Sequence, residues 1–549
     1  MKVGLLLLFV SVSADFLVAD SSSSWSVLQS SRYWLNLYSQ VTNPAAAANG
    51  AGEVVLAVLS QVTPSFAPTK KYGDVSVGGT VLYRFNAAGN LVFEVEVGGT
   101  LGNFGTPVVA LDGSGNSYVM GTAAASGLPV TTHSYLASPD VQPAGYLCKL
   151  GSTGDLVFCT YLKVSGPTSI AIDAAGDIYV GGQQPASSGP IVATPGALSE
   201  GGGSIFVLKL AGDGSRLLYA ARFGGSLTGS LSAMTVGRSG GVFLAGTTVS
   251  KDFPVTQDAA LGHAPSGDVF TTTFIAGLDP SGRSLTYASY GPSELPVAIG
   301  VDDASNLYWA GADRYDLIVR KYRGGGPEMT YERRVVSGST GLTNALPTGG
   351  RASKIFLSVD RAGNANLSGT VRASNFPLYN PSQTCHSGNI VGLPDGYLIR
   401  LTPDGAIAQS TYLVSTGSVL PLAIGANSDG GSLAVVASDT NGAPAGFRVL
   451  KLGPGVAGAP QTLSCIGNAA TLLPYTVSPG EVVSVFGEGI GPEAATPSVV
   501  ANGRVGTILG DTQLTFDGIP APILYASSFQ INAIAPWEIA GQTTTRCVC

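Results

Sequence analysis

Three observations predict an all-β chain: a seven-bladed β-propeller with four-stranded blades, followed by a small β-sandwich. First, Ile170-Ala171-Ile172-Asp173-Ala174-Ala175-Gly176-Asp177-Ile178-Tyr179-Val180-Gly181-Gly182 reads as a hairpin, with apolar alternation on either side of an Asp-to-Gly turn. Turns of that pattern open at Asn49, Asp112, Asp173, Gly237, Asp302, Asp360 and Asn427, at intervals of 63, 61, 64, 65, 58 and 67 residues. Second, another Gly-containing hairpin alternates with the first, so each repeat holds four strands. Third, the composition suits short strands and tight turns. Of 549 residues 75 are Gly, 44% are apolar and 11% are charged. That much apolar surface excludes disorder.

The N-terminus carries one positive charge at Lys2 and then the apolar run Leu5-Leu6-Leu7-Leu8-Phe9-Val10. Small residues follow at Val12-Ser13-Ala14 and again at Leu17-Val18-Ala19, the order of a secretory signal peptide over residues 1–19. The run is too short to span a bilayer, and no later stretch approaches the ~20 apolar residues an integral membrane segment needs. No Cys follows it to take a lipid anchor. The expected localisation is secreted, periplasmic or cell-surface.

The propeller is expected over residues 33–456. Asp or Asn opens the first turn of each repeat because its side chain bonds the backbone two residues on, and Gly closes it by accepting a left-handed conformation. In the second hairpin Leu150, Leu210, Leu278 and Leu401 are each followed four residues later by Gly and then by an aromatic-rich strand. Phe85 to Gly89 and Tyr322 to Gly326 fit the same frame. The last repeat runs to Lys451-Leu452-Gly453-Pro454-Gly455 without a fourth strand, while Tyr33-Trp34-Leu35-Asn36-Leu37 precedes the first turn unpaired. That strand is expected to complete the last blade and close the ring, leaving no open sheet edge between the termini.

Six cysteines suit an exported protein. Cys148 and Cys159 are equidistant from the turn Ser152-Thr153-Gly154-Asp155, which makes them cross-strand neighbours and a possible disulfide. Two buried thiols are the alternative. Cys385 and Cys465 have no local feature that pairs them. Cys547 and Cys549 lack the spacing of a metal site.

The repeats Ala171 to Gly182, Thr248-Val249-Ser250-Lys251-Asp252-Phe253-Pro254-Val255-Thr256 and Leu401-Thr402-Pro403-Asp404-Gly405 with Thr411-Tyr412-Leu413 resemble the SBBP β-propeller repeat of secreted bacterial proteins. The resemblance implies a propeller in an exported protein and transfers no catalytic residue.

After a linker at 457–464 the period stops. Pro479-Gly480-Glu481-Val482-Val483-Ser484-Val485-Phe486-Gly487, Leu514 to Tyr525 and Gln530-Ile531-Asn532-Ala533-Ile534 read as short strands of a partial immunoglobulin-like sandwich over 465–541. Gly518-Ile519-Pro520-Ala521-Pro522 and Ala535-Pro536-Trp537-Glu538 make it similar to the uncharacterised C-terminal domain that follows such propellers. The family domain continues further, whereas this chain ends in an atypical tail at 542–549, as a truncated sandwich would.

The sequence offers no catalytic constellation. There is no Gly-x-Ser-x-Gly elbow, His-Glu-x-x-His helix or phosphate loop, so no cofactor and no metal is expected. His133, His263 and His386 fall in the long loops of alternate repeats, which are expected to emerge on one face but far apart. Asp302-Asp303 mimics a paired carboxylate, but Asp302 stands at the recurrent turn. Leu128-Pro129, Phe253-Pro254 and Phe376-Pro377 repeat in the loops, and the expectation is that each apolar residue pins its loop to its blade.

A basic cluster in the fifth repeat, Arg314, Arg320, Lys321, Arg323, Arg333 and Arg334, is the candidate binding patch for an acidic glycan or peptide. The net charge of −7 argues against nucleic acid. The leading reading is therefore a secreted or surface-attached, non-catalytic scaffold that recognises a glycan or protein through its propeller loops. The alternative is a propeller enzyme of the polysaccharide or cyclic-peptide lyase type, with an acid/base pair at the central mouth. An outer-membrane barrel is excluded by the two-hairpin repeat and the lack of aromatic girdles.

Overall fold

The structure is a computed structural model. It describes residues 25–548 except 38–44, 61–68, 101–106, 125, 140–142, 185–191, 265–271, 292–294, 313–316, 337–354, 372–375, 377–378, 380–394, 414–418, 427–432, 440–444, 455–461, 471–476, 489, 493, 528–529 and 543–546. The expected signal peptide and the seventh turn at Asn427 lie outside the described residues.

The chain is all-β, and its main body is a β-propeller. The third sheet shows the plan: Pro167–Ile172, Ile178–Gln183, Ile205–Leu210 and Leu217–Phe223 pair antiparallel in sequence order. Five sheets follow this plan among the described residues; the first sheet adds Lys70–Tyr72 as a fifth, parallel strand, and the last takes its outermost strand from the N-terminus. Their innermost strands are Ala45–Ala48, Val108–Leu111, Pro167–Ile172, Gly229–Val236, Leu295–Val301, Phe356–Val359 and Val419–Ala426. Each lies beside the next, and the seventh lies beside the first, which closes a ring.

The ring is sealed by the N-terminal strand. Trp25–Leu37 pairs antiparallel with Ala445–Pro454 and is the outermost strand of the seventh sheet. The strand begins at Trp25, upstream of the expected 33–37, because its register on Ala445–Pro454 continues back from Trp34↔Gly446 to Trp25↔Pro454.

The cores lie between neighbouring sheets. Phe223, Leu244, Phe274 and Tyr290 fill the space between the third and fourth, and Phe243, Ile299, Trp309 and Ile318 that between the fourth and fifth. The third and fourth sheets are thus buried on both faces, so strands such as Ile205–Leu210 (Ile-Phe-Val-Leu-Lys-Leu) carry apolar residues on both sides. The turns behave as their residues require. Asp173 Oδ1 accepts the N–H groups of Ala175 (3.0 Å) and Asp177 (2.9 Å), and Gly176 takes φ +86°.

Beyond residue 461 a five-stranded antiparallel sheet runs Thr462–Asn468, Val482–Glu488, Gln530–Ile534, Ile523–Ala526, Thr496–Pro497. It has a core of its own around Val483, Val485, Phe516, Ile523 and Ile531. Within the tail, Cys547–Val548 pairs with Thr515–Phe516.

Candidate functional site

The innermost strands bound the channel, and none of the seven carries an Asp, Glu, His, Lys, Arg, Cys or Tyr. General acid–base chemistry needs such groups positioned at the reacting atoms. The polar side chains of these strands are hydroxyls, and two of them bond between neighbouring innermost strands: Thr168 Oγ1 donates to Leu231 O (3.4 Å), and Ser358 Oγ accepts the Ala426 N–H (2.9 Å). Among the described residues, no three His, Cys, Asp or Glu side chains converge as metal ligands.

The recurrent acidic turn has a second partner that the sequence reading missed. In the third sheet Lys209 Nζ lies 3.2 Å from Asp173 Oδ2 and 3.1 Å from Asp177 Oδ2, and 4.8 Å from the Tyr179 ring centre. Tyr179 Oη sits 3.1 Å from Asp173 Oδ2. The fifth sheet repeats this with Asp302, Tyr308 and Lys321. Elsewhere the cation recurs as Arg84 on Glu53 (2.8 Å), Lys149 over Tyr118 and Arg400 near Asp360 (3.8 Å).

These groups also reach the next sheet. Arg84 donates to the Gly115 carbonyl, Lys149 to that of Gly212 and Lys321 to that of Pro403, while the Tyr308 hydroxyl donates to Gly363 O at 2.8 Å. In the fourth sheet all three members are replaced together, by Gly237, Phe243 and Gly277. A buried cation without a carboxylate is costly, and here the cation and the turn carboxylate are absent together. The signal was legible as a Lys or Arg recurring two residues before the second turn.

The described parts of the long loops lie along the outermost strand of their own sheet. Thr131 donates its N–H to Cys159 O (3.1 Å), and Cys159 N–H donates to Thr131 Oγ1 (3.3 Å). Thr194 makes both bonds with Ala220, and Thr256 both with Ala288. Tyr379 takes the same register on Ser410.

In three of these loops the apolar residue three positions earlier is buried and anchors the loop: Leu128, Phe253 and Phe376. Phe253 stacks on Phe274 with centroids 4.7 Å apart, and its N–H donates to Tyr290 Oη. The clasping Thr was readable as the third residue after Leu128 and Phe253, but its target strand was not. Immediately after the clasp a tight turn exposes two residues. These are Thr132-His133, Pro195-Gly196 and Gln257-Asp258, each bracketed by the same backbone bond (Ser134 N–H to Thr131 O, Ala197 to Thr194, Ala259 to Thr256).

The basic cluster is not a single surface. Arg320 and Lys321 are neighbours on the strand Leu317–Tyr322 and so point to opposite faces. Arg320 is buried, 4.9 Å over the Trp309 ring and 2.8 Å from Glu332; Lys321 is buried in the Asp302 assembly. Arg323 lies at the second turn and pairs with Glu328 at 3.1 Å. Arg333 and Arg334 are exposed on the outermost strand Met329–Val336, and Arg314 lies outside the described residues.

His133 and His263 are exposed in their loops beside the outer strands, and His386 lies outside the described residues. Cys148 and Cys159 are direct cross-strand partners, Cα atoms 4.0 Å apart, and their sulfurs are bonded. Both backbone groups of Cys159 turn outward to Thr131, which is the non-hydrogen-bonded kind of site. The side chains of Cys385 and Cys465 lie outside the described residues.

No family model and no curated protein matches the sequence. Similar solved structures include the β-propeller domain of Myceliophteria thermophila Cps50 (Swd1), 7% identical, covering 76% of this chain and 98% of that one, TM-score 0.38. Another is a protein of unknown function from Dyadobacter fermentans, 11% identical, covering 78% and 99%, TM-score 0.39. A third is the Dos1 propeller, 9% identical, covering 75% and 93%, TM-score 0.40.

Proposed function

We propose that this chain is an exported, non-catalytic binding scaffold: a seven-bladed propeller of the SBBP type with an immunoglobulin-like C-terminal unit, which recognises a glycan or protein through its loops. The observation that carries the reading is the clasp-and-tip arrangement. The framework is constant from sheet to sheet, while the exposed pair changes from Thr132-His133 to Pro195-Gly196 to Gln257-Asp258. A rigid frame with variable tips is what recognition by loops requires. Export is supported by the Cys148–Cys159 bond, a kind of link that persists in oxidising compartments. It is supported also by the leader-like residues 1–19, since the closing strand starts downstream of either cleavage position.

The test is a glycan and protein array probed with the wild-type chain and with a tip variant, Thr132→Gly/His133→Gly/Gln257→Gly/Asp258→Gly, which leaves Thr131 and Thr256 in place. Loss of a wild-type signal at unchanged thermal stability supports the reading. An identical profile for both proteins, or no signal for either, overturns it. Export is checked by N-terminal sequencing of protein recovered outside the cytoplasm, where an intact Met1 end would contradict a cleaved leader.

A further inference from the structure

Two stretches singled out by the sequence, Pro479-Gly480-Glu481 and Ala535-Pro536-Trp537-Glu538, meet at one end of the C-terminal sheet. Their strands end on the pair Val482↔Ile534, and beyond it Gly480 N–H donates to Ala535 O (2.9 Å) and Ala535 N–H to Glu481 O (2.8 Å). Trp537 lies across this junction. A Cβ on Gly480 would stand 2.6 Å from Cε2 and 2.8 Å from Cη2 of its ring, and closer still to Cζ2 between them. That spacing seats Gly480 under the flat face of the indole, since an approach from the ring's edge would leave the two flanking atoms farther off. Only glycine, here at φ +77°, permits the seat. Glu481 holds the turn beneath: one carboxylate oxygen accepts from Asn468 Nδ2 and the other from Ser478 N–H (2.6 Å).

The ring's other face is turned to solvent. Trp537 is 72% exposed, while Pro536 before it and Ile539 after it are buried. The large apolar area of a tryptophan is ordinarily buried or held in an interface, so a ring fixed in place with one face free is a stacking surface. Glu538, the next residue, is exposed, and neither side chain has an aromatic, cationic or ion-pair partner among the described residues. The charge of this unit is one-sided: residues 462–549 hold six Asp and Glu residues against Arg504 and Arg546.

We propose that Trp537 and Glu538 form a docking platform for a basic segment of a partner protein, with an arginine guanidinium stacked on the free face of the ring and paired to the Glu538 carboxylate. The propeller assembles the same three groups within the chain: Arg320 lies 4.9 Å over the Trp309 ring and 2.8 Å from Glu332. A guanidinium suits such a seat because it is planar, weakly hydrated and attracted to an indole face. Charge selects the occupant, since an acidic glycan or an anionic membrane surface would meet net negative charge here. A neutral sugar would draw on the ring alone. The inference adds a second surface to the scaffold reading, separate from the loop tips.

The experiment uses the full chain, immobilised, and two synthetic hexapeptides, one alternating Arg with Gly and one alternating Glu with Gly. Each is passed over the chain at up to about 1 mM and binding is read by surface plasmon resonance. The expected result is binding of the Arg peptide alone, weakened at least about fivefold by Trp537→Ala and about two- to fivefold by Glu538→Gln. Glu538 is exposed and unpaired among the described residues, so its variant reports even where loss of the ring disturbs the fold. The tip variant of the preceding section should bind the Arg peptide normally, so failure of one reading is distinguishable from failure of the other. Equal binding of both peptides, no binding of either, or indifference to either substitution would overturn the proposal. So would displacement of the Arg peptide by cellohexaose, which would mark the ring as a sugar platform.

Discussion

Lys209 tests whether the acidic turns are held by buried charge pairs. Its ammonium is mostly buried, between Asp173 Oδ2 (3.2 Å) and Asp177 Oδ2 (3.1 Å), and its pKa is raised: burial opposes the charged form, but Tyr179, Asp177 and Asp173 outweigh it. Lys209→Met leaves the Asp173 carboxylate desolvated without its cation. Breaking a buried pair costs about 3–5 kcal/mol, and Asp173 keeps its bonds from Ala175, Asp177 and Tyr179, so about 3 kcal/mol is expected. Asp173→Asn/Lys209→Met removes both charges and keeps the turn acceptor. It should cost less than the two single changes summed, by at least about 1 kcal/mol. The fourth sheet, with Gly237, Phe243 and Gly277 in the three places, shows that the fold tolerates joint removal. Urea unfolding followed together by tryptophan fluorescence and far-UV circular dichroism gives the cycle. Additivity within 0.5 kcal/mol, or a Lys209→Met cost under about 1 kcal/mol, would refute the reasoning.

Three further outcomes are expected. Ser305 holds φ +60° where Gly52, Gly115, Gly176, Gly240 and Gly363 stand in the other described turns, so Ser305→Gly should stabilise by about 0.5–1 kcal/mol in urea midpoints. Thr256→Val leaves the buried Ala288 N–H without its 3.0 Å acceptor and should cost about 1–3 kcal/mol, with faster hydrogen exchange confined to Leu285–Tyr290. Burial opposes ionisation of Asp112, but hydrogen bonds from Asn116, Tyr118 and Ser114 outweigh it and hold its pKa below the ordinary Asp value. That stabilisation is therefore present above about pH 4 and lost as pH falls through the folded pKa. Asp112→Asn should flatten the acid limb of a stability-versus-pH curve and leave the neutral-to-alkaline limb unchanged.

The local features were legible because they are made by residues adjacent in sequence. Asp173 and Gly176 form a turn whatever surrounds them, and their recurrence at near-constant intervals implies repeated hairpins. The spare strand before the first turn and the missing strand after the last implied the closure that Trp25–Leu37 makes on Ala445–Pro454. What the sequence could not assign was the partner of each polar group. Arg320 and Lys321 look like one basic patch, yet the period-two alternation of a strand sends them to opposite faces, one over Trp309 and one into the Asp302 assembly. Likewise Thr131 and Cys159 are distant in sequence, and only the fold shows that the loop lies along its own sheet's edge. The repeat is determined by local turn chemistry; which cations are buried and which loops are fastened is decided by register and by contacts between sheets.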